Sequence, residues 1–353
     1  MRASATDMML HGGEDEPLLH GGDLGAARRL FPGAAEPFID LSTGINPNPY
    51  PLPRFSPELF ARLPDPTAVA ALAQTAARTY RAPTTAHVVP APGTQILLPL
   101  VAGLVRPGRA AILKPTYPEF SRAAILAGHT VETVRRIEDC GDATLVIVGN
   151  PNNPDGRLLP RGTLLRLAQD LRRRGGVLVV DEAFMDVEPP GGSLACDAAC
   201  GNVVVLRSFG KFFGHAGIRL GFAVAAPAIA ARLGALLGPW AVSGPALAVG
   251  AKALADTDWI KRTRKRIAKA ANKLDSILSA SGLSVIGGTS LFRLAQIPTA
   301  SALFRHLGHA GIFVRAFPDN ASWLRFGLPG NAREWQRLHA AMVSFQNNSQ
   351  YDN

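Results

Sequence analysis

The chain has 353 residues, 47% of them hydrophobic and 18% charged, with a net charge of +10 at pH 7. This composition excludes an intrinsically disordered chain, and the length predicts a large domain with a smaller companion. The sequence has no apolar stretch that could span a bilayer and no apolar signal core near its start, so we expect a soluble cytoplasmic protein without a membrane partner.

The first part of the chain predicts an arm. Residues 1–45 are rich in glycine, proline and charge, with a short helix near 24–30. A short strand at 40–42 then enters a proline-rich loop. We expect this arm to pack with the smaller domain.

From residue 67 onwards, the sequence alternates helical patterns with short apolar runs. It predicts helices at 68–80, 94–104, 120–127 and 163–174, and strands at 87–90, 110–113, 144–148, 177–180 and 203–206. Strands of continuous Val, Ile and Leu are buried on both faces, which indicates a mostly parallel central sheet with helices on both faces. We therefore predict an α/β fold, with residues 46–240 as the large domain.

The pattern changes after a helical stretch at 226–254. A basic helix follows, and then strands near 283–286, 291–297, 312–314 and 323–326 and a closing helix at 332–345. This order predicts a smaller α+β domain, which we assign to residues 241–353.

The basic helix bears on possible partners. Its run at 261–269 carries much of the positive charge, which by itself fits a polyanionic partner or a small phosphorylated substrate. Ile267 and Leu274 recur near helical spacing, and no aromatic or zinc-binding elements accompany the run, so we interpret it as a solvated helix face and expect no nucleic-acid partner. The three cysteines lack metal-ligand spacing, and we expect no metal site.

Three polar motifs each follow an apolar strand. Asn153, Asp181 and Lys211 come shortly after the apolar runs that end at residues 148, 180 and 206. Functional groups of such sheets gather beyond the carboxyl ends of the strands. The three loops are therefore predicted to converge on one pocket.

These three side chains have complementary chemistry. Lys211 supplies an amine for an aldehyde, Asp181 a carboxylate for a ring nitrogen and Asn153 an amide for a ring oxygen. Taken singly, Lys211 fits a surface lysine in a glycine-rich loop, Asp181 a helix cap and Asn153 a turn former. Their combination favours pyridoxal 5'-phosphate as the cofactor.

Further residues fit the rest of this cofactor. Arg219 and Ser208 are predicted phosphate ligands. Gly93 and Thr94 open a predicted helix whose N–H groups form an anion site, although a Gly-Thr pair also serves as a plain helix cap. Tyr117 fits either stacking on the cofactor ring or ordinary core packing.

Arg325 lies inside the apolar strand predicted at 323–326. An inward-pointing arginine there needs an anion, so we predict that it binds the carboxylate of a substrate. An outward-pointing arginine would only be solvated.

From about Asp40 to Leu328, the motifs and their order resemble the fold-type I pyridoxal-phosphate enzymes of the aspartate aminotransferase superfamily. The NPNNPDG run at 150–156 is similar to the histidinol-phosphate aminotransferase branch. Four other runs are more similar to the threonine-phosphate decarboxylases of cobalamin biosynthesis: HGGD at 20–23, DLSTGINP at 40–47, DEAF at 181–184 and SFGKFFG at 208–214.

The resemblance implies decarboxylation of L-threonine O-3-phosphate to (R)-1-aminopropan-2-yl phosphate and carbon dioxide. The alternative is an aminotransferase acting on a phosphorylated amino acid such as histidinol phosphate. The resemblance assigns the catalytic amine to Lys211 and the other ligands to Asp181 (pyridine nitrogen), Asn153 (ring oxygen), Ser208 and Arg219 (cofactor phosphate) and Arg325 (substrate carboxylate). The substrate phosphate needs ligands of its own, for which we name His20, Gly21, Gly44 and Asn46.

Two positions depart from the superfamily pattern. Phe184 replaces a tyrosine that in many relatives also reaches the ring oxygen of the cofactor, so one hydrogen bond would be missing. Leu63 replaces a tyrosine that in many relatives reaches the cofactor phosphate of the neighbouring subunit. The resemblance still implies a homodimer.

Overall fold

The computed structural model of the chain describes residues 21–351. Its helices in this part of the chain are α1 (Leu24–Leu30), α2 (Glu58–Ala61), α3 (Pro66–Tyr80), α4 (Leu97–Ala102), α5 (Glu119–Leu126), α6 (Arg161–Arg173), α7 (Phe209–Phe212), α8 (Pro227–Leu237), α9 (Gly244–Ala255), α10 (Thr257–Ala280), α11 (Ala300–His309) and α12 (Ala332–Tyr351). Among the residues so described, none of these helices combines the length and the apolar character of a membrane span.

The strands of the described residues are β1 (Ile39–Asp40), β2 (Val88–Ala91), β3 (Arg109–Leu113), β4 (Thr130–Val134), β5 (Leu145–Gly149), β6 (Val177–Asp181), β7 (Val203–Ser208), β8 (Gly221–Val224), β9 (Ser284–Thr289), β10 (Phe292–Gln296), β11 (Ile312–Phe313), β12 (Arg315–Ala316) and β13 (Trp323–Gly327). Seven of them form one sheet in the order β2-β8-β7-β6-β5-β3-β4. The five strands from β7 to β4 are parallel, and β8 pairs antiparallel with both β7 and β2. The predicted α/β fold with a mostly parallel sheet is confirmed.

Burial explains why the central strands of this sheet could be predicted from the sequence. All residues of β5 and β7 are buried, as the apolar runs at 145–148 and 203–206 predict for strands covered on both faces. Helices α4 and α5 contribute Leu97, Val101 and Phe120 to the core beside them. The loops that follow these strands therefore start from a rigid, close-packed layer.

A second, smaller group of strands is antiparallel. Strands β9, β10, β12 and β13 form a sheet in the order β12-β13-β10-β9, and β1 pairs in parallel with β11. The smaller α+β part predicted for the end of the chain is confirmed, and the arm residues 39 and 40 join it through β1.

The described residues group into two compact units. One contains residues 49–264, and the other contains residues 21–48 and 265–351. Helix α9 thus groups with the first unit, whereas the sequence predicts a boundary near residue 240. The domain limits of the folded protein stay a prediction.

Several elements differ from their predicted positions. The helix expected at 94–104 begins only at Leu97, because Gly93 has a φ of +87° and residues 94–96 form a turn. The stretch at 226–254 is two helices, α8 and α9, separated after the left-handed Gly238. Strand β4 was missed because it lies at the sheet edge and most of its residues are exposed or half-buried. The short strand β8 and helix α11 were missed as well.

Candidate functional site

The polar motifs of residues 49–264 lie at one edge of the large sheet. Gly149 of β5 is in register with Asp181 of β6, and Asp181 with Leu206 of β7. The N–H of Asn150 donates to the carbonyl oxygen of Asp181 at 2.8 Å, which joins the first two strand ends. The loops that carry Asn153, Asp181 and Lys211 therefore begin side by side.

Asp181 occupies the last position of β6. Burial raises the pKa of its carboxyl to about 6, while the N–H of Ala183, 3.0 Å from Oδ1, and the positive charge of Lys211 oppose that rise. The negative charge of Glu182 also contributes to the raised pKa. Asp181 and Lys211 are thus close enough for each charge to act on the other, and a cationic partner would keep Asp181 ionised.

Lys211 stands on the short helix α7, which directly follows β7. Its Nζ lies 5.7 Å from the ring centre of Phe184. Behind it, Phe213 stacks on Phe209 at 4.5 Å and on Trp259 at 5.7 Å between ring centres. The buried aromatic rings hold the backbone around Lys211 while its side chain stays partly exposed.

The three asparagines of the loop after β5 have different tasks. Asn150 is buried, and its Oδ1 accepts from the N–H of Leu159 at 2.7 Å. Asn152 is also buried, and its Nδ2 donates to the carbonyl oxygen of Pro115 at 2.7 Å. Both asparagines stabilise the loop, as turn-forming residues do. Asn153, by contrast, is only half-buried.

A narrow cradle lies where β7 and β8 meet the turn at residues 93–94. Ser208 is in register with Gly221. A Cβ on Gly221 would come within 2.8 Å of the backbone nitrogen of Thr94, and a Cβ on Gly93 within 2.7 Å of an Nη of Arg219. The backbone contact excludes a side chain at Gly221, whereas at Gly93 the φ of +87° favours glycine and the guanidinium of Arg219 would have to move to admit a Cβ. The structure thus brings Gly93, Thr94, Ser208 and the exposed Arg219 together.

Tyr117 is linked to the same turn. Its hydroxyl donates to Oε1 of Gln95 at 3.3 Å, and Nε2 of Gln95 donates to the buried Glu119 at 2.6 Å. The ring also packs edge-on against Phe120, so its core contact and its exposed face coexist. Sequence reasoning missed Gln95, although its position directly after Gly93 and Thr94 was a usable signal.

Arg325 is the predicted carboxylate ligand, and it lies in the unit that contains residues 21–48 and 265–351. It is 7% exposed on β13, and one Nη donates to the carbonyl oxygen of Ser42 at 2.6 Å. Burial and the like charge of Arg315 lower its pKa to about 9, while Asp40 opposes that shift. The side chain therefore points inward, and the solvated alternative is excluded.

Arg315 was missed by sequence reasoning. It lies on β12 directly opposite Arg325, and paired residues of antiparallel strands share a face of the sheet. Two guanidinium groups on one face repel each other unless an anion lies near both. The sequence alone gave no signal for this pair, because strand register decides it.

The arm contributes further residues to the same unit. The N–H of Gly22 donates to Oγ of Ser42 at 2.8 Å, and Gly21 lies against the carbonyl of Ser42, the group that also contacts Arg325. Asn46 and Gly44 are buried in the segment that follows. His20 lies outside the described residues.

The two departures from the superfamily pattern have different surroundings. Phe184 is buried with its ring near Nζ of Lys211. Leu63 is 66% exposed.

The residues between 21 and 351 that the structure describes contain no group of three or more His, Cys, Asp or Glu side chains placed to hold a metal ion.

Comparison with known proteins defines the class. Residues 56–341 match the family of class I and class II aminotransferases, and the chain belongs to that family. Among its relatives, the threonine-phosphate decarboxylases of Sinorhizobium sp and Pseudomonas aeruginosa are 42% and 39% identical to this chain. The similar regions cover 94% and 93% of this chain and 99% and 98% of those proteins.

Solved structures agree with this fold. A histidinol-phosphate aminotransferase from Sinorhizobium meliloti, solved in complex with pyridoxal-5'-phosphate, superposes with a TM-score of 0.78 and covers 98% of each chain. Its sequence identity to this chain is 21%, so the likeness concerns the fold.

Proposed function

We propose that this chain is a pyridoxal-phosphate-dependent decarboxylase that converts L-threonine O-3-phosphate to (R)-1-aminopropan-2-yl phosphate and carbon dioxide, a step of cobalamin biosynthesis. The observation that carries the proposal is the 42% identity to a threonine-phosphate decarboxylase over 99% of that protein's length. The geometry of the strand ends supplies the chemical support.

The donor set of the strand ends fits the cofactor. The glycine cradle brings Ser208, the guanidinium of Arg219 and the backbone of Thr94 together, and these groups would hold the phosphate of the cofactor. Asp181 suits a protonated ring nitrogen, because a neighbouring cation favours its ionised form. Asn153 would donate to the ring oxygen, and Tyr117 would cover a ring face.

When bound, the cofactor draws electrons from whichever bond at Cα stands perpendicular to its ring. Lys211 provides the amine that holds the aldehyde. Once carbon dioxide has left, Cα needs a proton, and Nζ of Lys211 is the general acid that delivers it. Asp181 holds the proton of the ring nitrogen in place. Since Phe184 has no hydroxyl, the ring oxygen depends more heavily on Asn153.

The arginines of β12 and β13 match a substrate with two anionic groups. Arg325 would bind the carboxylate, and its cross-strand neighbour Arg315 supplies a second cation suited to the phosphate. Gly21, Gly44 and Asn46, with His20, remain the arm residues proposed for the phosphate. An anion near both guanidinium groups would offset their repulsion and the lowered pKa of Arg325.

The test is a product assay. Purified protein supplied with the cofactor and L-threonine O-3-phosphate, without a keto acid, is expected to release one carbon dioxide for each aminopropanol phosphate formed. In a parallel reaction that contains 2-oxoglutarate, transfer of the amino group to it with the carboxylate retained would replace this proposal by the aminotransferase alternative. The measured ratio of the two products therefore decides between them.

The proposal includes a homodimer that works in the cytoplasm. The family resemblance supports the dimer, although Leu63 would not provide the cross-subunit hydroxyl found in many relatives. Sedimentation velocity of the purified chain is expected to give twice the mass of 37.3 kDa. A single species at the monomer mass would overturn this part of the proposal.

A further inference from the structure

Four charged side chains form a cluster beside the cofactor loops: the buried Glu182, Asp186 and Arg207 and the half-buried Arg264. We call them the acid–arginine cluster. Glu182 is fully buried, and Asp186 and Arg207 are at most 5% exposed. One Nη of Arg207 donates to Glu182 at 2.7 Å, and the other donates to Asp186. Such charges are stable in a protein interior only when they are paired.

The cluster adjoins two proposed cofactor ligands through single peptide bonds. Glu182 follows Asp181, and Arg207 precedes Ser208. Because successive side chains of a strand point to opposite faces, Arg207 points away from the face of Ser208. The N–H of Glu182 also donates to the carbonyl of Leu206 at 2.9 Å. The ion pair therefore fastens the ends of β6 and β7 from the side opposite the proposed ligands.

Arg264 joins the cluster from the basic run. Its Nε donates to the carbonyl oxygen of Asp186 at 2.7 Å, and its guanidinium lies 5.9 Å from the ring centre of Phe212, the residue after Lys211. Burial lowers its pKa, while Lys261 in the same run is exposed. The interpretation of the run as a solvated face is thus wrong for Arg264, which contacts both the loop after β6 and the loop of Lys211.

Within the four residues of the cluster, the formal charges balance, because Glu182 and Asp186 are offset by Arg207 and Arg264. The half-buried Glu188 lies outside the four and is a further carboxylate that Arg264 attracts. Glu182 raises the pKa of Asp181, so its charge acts on the carboxylate proposed to hold the ring nitrogen. Removal of one guanidinium would leave a net negative charge beside Asp181 and favour its neutral form.

We propose that Arg264, acting with Arg207, is a positioning residue that neutralises the buried acids beside Asp181 and fixes the loops of Asp181 and Lys211, and thereby sets the affinity for the cofactor. This inference rests on the proposed function, because it takes pyridoxal phosphate as the ligand. It predicts that the net charge of the cluster, more than the presence of any one side chain, governs cofactor binding.

The experiment titrates the apo form of the full chain with pyridoxal phosphate and measures the dissociation constant by absorbance, together with the melting temperature of the apo form. Arg264→Gln is expected to weaken binding about tenfold, which is the change in an equilibrium constant that corresponds to a change of about one in the pKa of Asp181. Arg264→Lys keeps the charge and is expected to lose less than about threefold. Lys261→Gln removes an exposed charge of the same helix and is expected to change nothing.

A rescue separates charge from packing. Asp186→Asn keeps an oxygen that can accept from Arg207 and removes one negative charge. The double variant, Asp186→Asn with Arg264→Gln, is neutral again, and its affinity is expected to return to within about twofold of wild type. Losses that simply add in the double variant, or a lower melting temperature with unchanged affinity in Arg264→Gln, would overturn the inference. Failure of the wild type to bind the cofactor would instead overturn the proposed function.

Discussion

The two proposed sets of ligands balance their charges in opposite ways. At the strand ends of residues 49–264, the buried acids have an opposite charge close by, as Asp181 has Lys211 and Glu182 has Arg207. On β12 and β13, by contrast, two arginines lie directly opposite each other, and the like charge of Arg315 lowers the pKa of Arg325 while Asp40 opposes that shift. The paired charges of the first set suit a cofactor ring with little net charge. The two arginines of the second set suit a substrate that brings two negative charges.

This difference separates two kinds of variant. Changes at the strand ends are expected to alter cofactor binding and the chemical step. Changes on β12 and β13 are expected to alter the recognition of the substrate and to leave the cofactor in place.

The largest effect is expected for Lys211→Ala. It removes the proposed amine that holds the aldehyde and the acid that protonates Cα, so carbon dioxide release should fall by about 10³-fold or more. Borohydride treatment followed by mass spectrometry should find a pyridoxyl group on residue 211 of the wild type and none on the variant. Lys261→Ala is the matched control, and equal activity of the two variants would contradict the assignment.

Asp181→Asn is expected to reduce the rate of carbon dioxide release about 10²-fold, because it removes the charge that holds the proton of the ring nitrogen. It also tests the pKa of about 6. A carboxyl whose pKa is raised on folding favours the folded state below its unfolded pKa of about 4, and this contribution is lost as the pH rises through 6.

The stability of the apo protein relative to Asp181→Asn should therefore fall by about 2 kcal/mol between pH 4 and pH 7. Denaturant unfolding at a series of pH values measures it. The exposed Asp139→Asn is the control. A difference that is constant with pH would show that burial does not raise the pKa of Asp181.

Arg325→Lys tests the other side of the comparison. Lysine keeps the charge but loses the planar fork that binds a carboxylate through two hydrogen bonds, so kcat/KM for L-threonine O-3-phosphate should fall about 30-fold. The dissociation constant of the cofactor should stay unchanged. The exposed Arg305→Lys is the control. Equal losses of cofactor and substrate affinity would remove the distinction between the two sets.

The sequence predicted the first set far better than the second. Helix α1 was predicted with the bounds it has, and the strands before Asn153, Asp181 and Lys211 were recognisable because both of their faces are buried. Once those strands are parallel and adjacent, the positions of their following loops are determined.

The missed residues share a physical cause. Arg315 faces Arg325 only through the register of β12 and β13, and Gln95 meets Glu119 across 24 residues of chain. Arg264 was predicted to be solvated because helical spacing shows only which residues form the apolar face. It does not show that the side chain of Arg264, beside that face, reaches the carbonyl oxygen of Asp186. Such contacts depend on three-dimensional packing, and the spacing of residues in one segment does not encode them.

Gly93→Ala probes the cradle and carries the smallest expected effect. The φ of +87° disfavours alanine, and the new Cβ would approach an Nη of Arg219 to 2.7 Å, so either the turn or the guanidinium must move. We expect cofactor affinity about tenfold weaker, measured by titration of the apo protein. Gly234→Ala, on α8 with open space around its Cβ, is the control. If both variants bind the cofactor equally, the cradle does not hold the phosphate, and Ser208 and Arg219 lose their proposed roles together, because their placement beside Gly93 and Thr94 is what supports the assignment.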